Sequence, residues 1–333
     1  MKLWVWSERL SYGELGDEAV LGLLHRYEVT LGVQVTPALR ARDGDALLAL
    51  IRRAADAGVA LALWPLLDDD GAGPWACERN VGAFGDFVGE LLDWTAAENA
   101  PVPWIAVDLQ LPRQQAERYV NASGLGWVFQ IIRLMRSNLS RKRFMAASAE
   151  FQRLQTRIAD YGARTMARSL DHVATDLATG GIVWQDFLET PVTTVTWDRV
   201  ALTYYGSLVS GGGLTPADAQ GLLYQVCQAA QAHYGDRAGV SLGLCGASPG
   251  GDEPPGYATP ADLQPDVAAA LAAGVQDIAL ADLAGIVRSL EPGAWFDIVR
   301  TCEPAPPAAG VTEWARRSFD NRKRMARIFT YFQ

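Results

Sequence analysis

Short apolar runs alternate with amphipathic segments along the chain, and the alternation occurs eight times. The apolar runs are continuous in Val, Ile, Leu and Ala, which is typical of parallel strands that are covered on both faces. Eight strand–helix units that close on themselves form a TIM barrel, the (β/α)8 fold. The predicted strands are Leu3–Trp6, Val29–Val35, Val59–Leu67, Val102–Leu109, Arg164–Ser169, Arg199–Tyr205, Gly239–Leu244 and Asp277–Ala281.

The length of 333 residues fits a single barrel domain over residues 1–333, with two additions. The first addition, residues 113–162, follows the fourth strand and is long enough for two helices. It contains a basic amphipathic stretch. Such a helix can lie on a membrane, but packing on the barrel with solvated arginines is the favoured interpretation. The second addition, residues 312–333, is an amphipathic C-terminal helix. We expect it to pack on the bottom or side of the barrel, with a homodimer contact as the alternative.

Charge and composition narrow the classes of partner. The net charge of −9 argues against general binding to nucleic acid or to anionic membranes. No run is long enough to span a membrane, and no secretory signal is evident. The four cysteines are scattered without metal-type spacing, so free thiols are expected. These features predict a cytoplasmic protein.

The rarity of two residue types disfavours several kinds of barrel chemistry. The lysines are Lys2, Lys142 and Lys323, and none ends a predicted strand. Schiff-base and pyridoxal-phosphate enzymes need a lysine in the barrel mouth. Two of the three histidines fall in predicted helices, which disfavours a multi-histidine metal centre of the amidohydrolase or sugar-isomerase kind. No cofactor and no metal are therefore predicted.

The fourth predicted strand ends in Asp108-Leu109-Gln110. Residues two apart on a strand point to the same face, so Asp108 and Gln110 are expected to face the barrel axis or its mouth together. A charged side chain at the end of an apolar strand is costly unless it is hydrogen-bonded or useful. Because barrel enzymes place their catalytic groups at the carboxyl ends of strands, Asp108 is the foremost candidate.

This segment resembles the fourth strand of the chitinase-like (family 18) glycoside hydrolases, which ends in Asp-x-Glu. Leu202-Thr203-Tyr204-Tyr205-Gly206 likewise resembles the Met-x-Tyr segment of that family. The resemblance implies substrate-assisted glycoside hydrolysis, with Asp108 orienting the substrate and Tyr204 or Tyr205 bonding the sugar. Gln110 stands where the family has its acid, and glutamine has no proton to donate.

Another group would then have to supply the proton. Asp282 ends the eighth strand and Asp171, followed by His172, comes after the fifth. Both are candidates for acid–base roles. Aromatic rings near strand ends could stack on a sugar. The expected substrate-binding residues are Trp6, Trp64, Asp69, which belongs to the Asp68–Asp70 run after strand three, and Glu8.

The leading hypothesis is a glycoside-hydrolase-like enzyme that acts on a sugar-containing small molecule or a glycan. Two alternatives stay open, because a barrel fold alone does not fix function. One is a catalytically inactive barrel that binds a glycan or metabolite. The other is a biosynthetic cyclase or isomerase acting on a non-glycoside substrate.

Overall fold

Eight parallel strands pair in sequence order and the eighth pairs with the first, so the sheet closes into a barrel. The computed structural model describes residues 1–68, 73–113, 115, 132–206, 214–246 and 256–333. The predicted TIM barrel is confirmed. The strands are β1 Lys2–Ser7, β2 Val29–Val35, β3 Leu61–Pro65, β4 Trp104–Asp108, β5 Arg164–Leu170, β6 Arg199–Tyr204, β7 Ala238–Leu244 and β8 Asp277–Ala281.

Helices surround the barrel in the order that the strand–helix alternation requires. Several begin at a capped threonine followed by proline, as at Thr36 and Thr215, whose hydroxyls accept a backbone N–H of the first turn. The α-helices within the described ranges include α1 Tyr12–Leu15, α2 Glu18–Arg26, α3 Pro37–Asp56, α4 Val81–Ala97, α5 Arg141–Asp160, α6 Val173–Thr179, α7 Val183–Leu188, α8 Pro216–Tyr234, α9 Pro260–Ala272, α10 Leu283–Val287, α11 Pro292–Thr301 and α12 Glu313–Thr330.

Side chains alternate between the barrel interior and the layer beneath the helices, as strand geometry requires. Parallel register places Trp6 beside Gly32 on β2 and beside Ala281 on β8. The indole of Trp6 lies directly over Gly32, where a Cβ would come within 2.0 Å of the ring. The interior is therefore filled by large rings from some strands and by small residues from their neighbours. Its apolar members are Trp4, Trp6, Ala62, Trp64, Leu66, Trp104, Ala106, Met166, Ala201, Ala279 and Ala281.

The two additions lie against the outside of the barrel. After β4, residues 132–138 are helical and α5 packs on α4; residue 114 and residues 116–131 lie outside the described part. The C-terminal helix α12 lies on α6, α7 and α8 and buries Ala315, Phe319, Ala326 and Phe329. No helix of the described ranges is both long and apolar enough to cross a membrane. The homodimer contact stays a prediction.

Candidate functional site

A buried arginine occupies the upper half of the barrel interior. Arg168 on β5 is 3% exposed, and its guanidinium carbon lies 4.3 Å from the ring centroid of Trp6 and 4.7 Å from that of Trp64. Both distances are within the range of cation–π attraction. The sequence interpretation missed Arg168. The available signal was its spacing from Met166, because residues two apart on a buried strand share a face.

Asp108 is the counter-charge of this arginine. Its Oδ2 lies 3.3 Å from Arg168 Nη1, and its side chain is 1% exposed. Gln110 Nε2 donates to Asp108 Oδ1 at 3.0 Å, so Asp108 and Gln110 share one side of β4 as the spacing predicts. A buried arginine without a carboxylate would leave an uncompensated charge in a low-dielectric interior. Asp108 therefore balances Arg168, and Gln110 holds the aspartate in place.

Several buried polar atoms near this pair make no hydrogen bond within the described residues. They include Arg168 Nε; Arg168 Nη1 and Asp108 Oδ2 are compensated by each other as an ion pair at 3.3 Å. Buried polar groups in proteins are normally satisfied by protein, ordered water or ligand. The ion pair therefore leaves the Arg168 Nε donor without a protein partner among the described residues.

Glu8 is a titratable residue at the edge of the barrel interior. It is exposed to solvent and close enough to Arg168 and Asp108 to interact with their charges. It follows β1 directly, and its backbone N–H donates to Asp282 Oδ1 at 3.4 Å. The surrounding protein desolvates the carboxyl group and raises the pKa of Glu8; Asp282 and Asp108 add to that rise, whereas Arg168 opposes it. The residue also keeps an open face. A carboxyl group that is reachable and has a raised pKa suits general acid–base chemistry.

Asp282, the predicted carboxylate at the end of β8, anchors this segment. It caps α10, and its Oδ1 accepts the backbone N–H of Ala284 at 3.3 Å as well as that of Glu8. Its Oδ2 lies 3.5 Å from Arg9 Nε. Burial raises the pKa of Asp282. The position of the Glu8 backbone therefore depends on a carboxylate from the neighbouring strand.

A cavity of about 270 Å³ opens between the carboxyl ends of β1 and β2. Its walls include Glu8, Arg9, Ser11, Gln34 and Arg42. These side chains supply charges of both signs together with a hydroxyl and an amide. Pockets for small molecules typically measure about 300–1,000 Å³, so this cavity lies just below that range and suits only a small ligand.

The two candidate tyrosines face opposite ways. The hydroxyl of Tyr204 donates to the carbonyl of Ala219 in α8 at 2.6 Å, so Tyr204 lies in the helix layer and away from the mouth. Tyr205 faces the interior, where a Cβ on Gly243 would be 3.4 Å from its ring. Burial raises the pKa of Tyr205, and Glu8 and Asp108 act in the same direction. The expectation that Tyr204 bonds a sugar in the barrel mouth is therefore wrong, because its side chain points to the helix layer.

Asp171 lies outside the mouth as well. Arg322 Nη1 of α12 lies 2.8 Å from Asp171 Oδ2, and His172 Nδ1 lies 3.0 Å from Oδ1. Burial alone would raise the pKa of Asp171, but Arg322 and His172 outweigh it and hold that pKa below its ordinary value. The residue ties the C-terminal helix to the end of β5, which differs from the expected role as a base.

The expected aromatic platform is not open to a sugar ring. Trp6 is 1% and Trp64 is 3% exposed, and Arg168 packs against the rings of both. Asp69 and Asp70 lie outside the described residues. Asp68 accepts the backbone N–H of Ala38 at 3.3 Å. Within the described ranges, no group of three or more His, Cys, Asp or Glu side chains is arranged to hold a metal ion.

No protein-family model and no curated protein matches the chain. Solved structures do share its barrel. An L-ribulose 3-epimerase is 13% identical with a TM-score of 0.47 and covers 98% of each chain. The 3-keto-D-glucoside 4-epimerase of E. coli is 13% identical with a TM-score of 0.45, over 91% of this chain and all of that one. The D-allulose 3-epimerase of Methylomonas sp. is 11% identical with a TM-score of 0.45, over 100% and 98%. At such identities the likeness is one of fold.

The expected membership of the chitinase-like hydrolases is wrong. The similar structures named above are sugar epimerases. The site gives a physical reason as well, because Gln110 is bonded to Asp108 and Asp108 faces a buried arginine. The Asp-x-Gln segment therefore builds an internal ion pair. The hypothesis of a glycoside-hydrolase-like enzyme, which depended on that resemblance, is also wrong.

Proposed function

We propose that the chain is an enzyme that moves a proton on a small hydroxylated carbonyl compound, in an isomerisation. The observation that carries the proposal is the position of Glu8. It lines the cavity between β1 and β2, it has a raised pKa, and it is coupled electrostatically to the buried Arg168 and Asp108. Perturbed carboxyl groups in clefts are typical of acid–base sites.

In the proposed reaction the Glu8 carboxylate removes a proton from the carbon next to the substrate carbonyl. The electron pair of that C–H bond moves to form an enolate, whose negative charge rests on the carbonyl oxygen. The protonated Glu8 then gives its proton to the former carbonyl carbon, while the hydroxyl proton of the adjacent carbon moves to the former carbonyl oxygen. The hydroxyl-bearing carbon thereby becomes the new carbonyl, so no external reductant or oxidant is needed. A base whose pKa lies above that of an ordinary carboxyl group removes such a proton more readily.

The positive charges around the cavity stabilise the enolate. Arg9 lines the cavity and lies 3.5 Å from Asp282. Arg42, in contrast, is largely exposed and paired with Asp43, which lines the same cavity. The charge of the buried Arg168 also acts on Glu8. Fixed cations in a partly desolvated site stabilise developing negative charge without reorganisation. Ser11 and Gln34 offer hydrogen bonds to substrate hydroxyls. The mixture of donors and acceptors in a small cavity favours a compact polyhydroxylated substrate.

The proposal is tested by exchange of carbon-bound protons in D₂O. The protein is incubated with a panel of aldoses and ketoses, and ¹H NMR follows loss of the signal next to the carbonyl. We expect exchange with at least one sugar, its loss in Glu8→Gln, and retention in Glu150→Gln, an exposed residue of α5. Calorimetry measures binding in parallel. Binding of a sugar without exchange would contradict the proposal and favour a catalytically inactive binding barrel.

A further inference from the structure

Six cations on two segments of the outer side of the barrel have no ion-pair partner in the part of the chain that the structure describes. All six are exposed. Some surface arginines elsewhere pair with carboxylates, as Arg40 does with Glu90 at 3.1 Å, whereas others, such as Arg26, have no such partner among the described residues. We call the six cations and the apolar residues beside them the basic surface. The cations are Arg133, Arg136, Arg141, Lys142, Arg324 and Arg327.

These cations come from two segments that pack against each other. Leu134 and Leu139 share one apolar cluster with Ala326 and Phe329 of α12. The backbone N–H of Ser140 and the Nε2 of Gln333 both donate to the Asp186 carboxylate, at 3.0 and 2.8 Å. Residues 132–143 and the end of α12 therefore form one continuous part of the protein surface.

The charge of this region opposes that of the rest of the chain. Residues 132–144 carry five Arg or Lys and no Asp or Glu, and residues 313–333 carry six against two. The two segments thus have a net charge of +9 in a protein of −9, and two of their cations, Arg143 and Arg322, pair with the buried Glu78 and Asp171 of other segments. Such asymmetry directs one side of a protein toward an anionic surface and repels the other.

Apolar side chains are exposed among the same cations. Ile132 is 42%, Met145 49%, Ile328 54% and Phe332 56% exposed. Nucleic acid would account for the positive charge but not for the exposed apolar side chains, because proteins contact its backbone through polar and charged groups. The headgroup region of a bilayer accepts cations together with aliphatic and aromatic side chains.

We infer that the basic surface docks the protein on anionic phospholipid bilayers as a peripheral protein. The cations contact lipid phosphates while Ile328 and Phe332 enter the headgroup boundary. The acidic remainder of the barrel faces away from the membrane. This inference is independent of the proposed function, because it uses no residue of the candidate site.

The test is co-sedimentation with vesicles of phosphatidylcholine alone or with about 25% phosphatidylglycerol. We expect binding to the anionic vesicles only, weakened by added salt as screening requires. Arg324→Glu/Arg327→Glu and Ile328→Ser/Phe332→Ser should each reduce the partition coefficient roughly ten-fold, since both charge and apolar contact contribute.

A charge-matched control separates the basic surface from net charge. Arg26→Glu/Arg52→Glu changes the same number of exposed charges on α2 and α3 and should bind as the wild type does. Thermal melts followed by circular dichroism confirm that each variant is folded. Three results would overturn the inference: no binding to anionic vesicles, equal loss in the control, or binding to duplex DNA without binding to vesicles.

Discussion

The guanidinium of Arg168 lies 3.3 Å from the carboxylate of Asp108, and both side chains are buried inside the barrel. Removing one partner of a buried ion pair leaves a charge without compensation, whereas removing both leaves an apolar gap that the rings of Trp6 and Trp64 can fill in part. This relationship makes the pair a stability element beneath the candidate site.

Asp108→Asn should lower the free energy of unfolding by about 3–5 kcal/mol, because Arg168 would remain buried without its counter-charge. The double variant Asp108→Leu/Arg168→Met should lose clearly less, since no charge remains. Urea denaturation followed by tryptophan fluorescence measures both. A loss below about 1 kcal/mol in Asp108→Asn would show that water already compensates the arginine.

Gly32→Ala should destabilise the protein by about 1–3 kcal/mol, because the new Cβ would lie 2.0 Å from the Trp6 ring and the indole must move. Gly85→Ala is the matched control. It lies inside α4 with nothing within 4 Å of the added Cβ, so it should stabilise by about 0.5–1 kcal/mol through helix propensity. Thermal unfolding should show a lower melting temperature for Gly32→Ala and a higher one for Gly85→Ala if Trp6 is held where the structure places it.

The contribution of Glu78 to the free energy of unfolding should fall between about pH 5 and pH 8. Burial raises the pKa of Glu78 to about 8, although Arg143 Nε donates to its carboxylate at 2.8 Å. The unfolded chain loses this proton above the ordinary value of 4.5. The folded state therefore holds a proton that the unfolded state releases, and stability declines as the pH rises toward 8.

Glu78→Gln removes this titration and should make the decline shallower. Some decline should persist, because burial also raises the pKa of Asp176 to about 6. Urea midpoints at several pH values, in wild type and variant, provide the comparison. Parallel curves for the two proteins would count against the raised pKa of Glu78.

Arg322→Ala should loosen the C-terminal helix. The arginine pairs with Asp171 at 2.8 Å, and its backbone carbonyl accepts Trp184 Nε1 at 3.0 Å. We expect a loss of about 2–3 kcal/mol, typical of breaking a largely buried charged hydrogen bond. Faster amide exchange in α12 should accompany that loss.

Arg317→Ala serves as the control for this prediction. Arg317 is on the same helix but pairs with Glu313 at the surface, where such a pair contributes about 0–1 kcal/mol. Similar exchange rates in the two variants would mean that Asp171 does not anchor α12.

The strands were predictable because each is a short, nearly continuous apolar run. Val29–Val35 and Asp277–Ala281 agree residue for residue with the structure, and the other six differ by at most two residues at an end. The reason is physical. Strands covered on both faces need apolar side chains at most positions, so each strand is visible in the sequence as a nearly continuous apolar run.

The candidate site was predictable only where the spacing of two residues along a strand shows that their side chains share one face of the sheet. The shared side of Asp108 and Gln110 follows from a period of two. Tyr204 and Tyr205 are adjacent, so one of them must face the helices, and the sequence does not fix which one does so. The sequence analysis missed Arg168 because its spacing groups it with Met166 but does not say whether that face is the barrel interior. A buried charge is expected only where a partner of opposite charge lies nearby, and that partner comes from another strand.

The sequence by itself determined the eight-fold repeat, the barrel and the residues at the carboxyl ends of its strands, because local patterns of hydrophobicity encode them. The tertiary structure decided which charges meet. It paired Asp108 with Arg168 between two indoles, gave Asp171 to the C-terminal helix, and left Glu8 at the edge of a cavity. Those contacts join residues far apart in the chain, and their strength depends on distance and burial, which only the closed barrel sets.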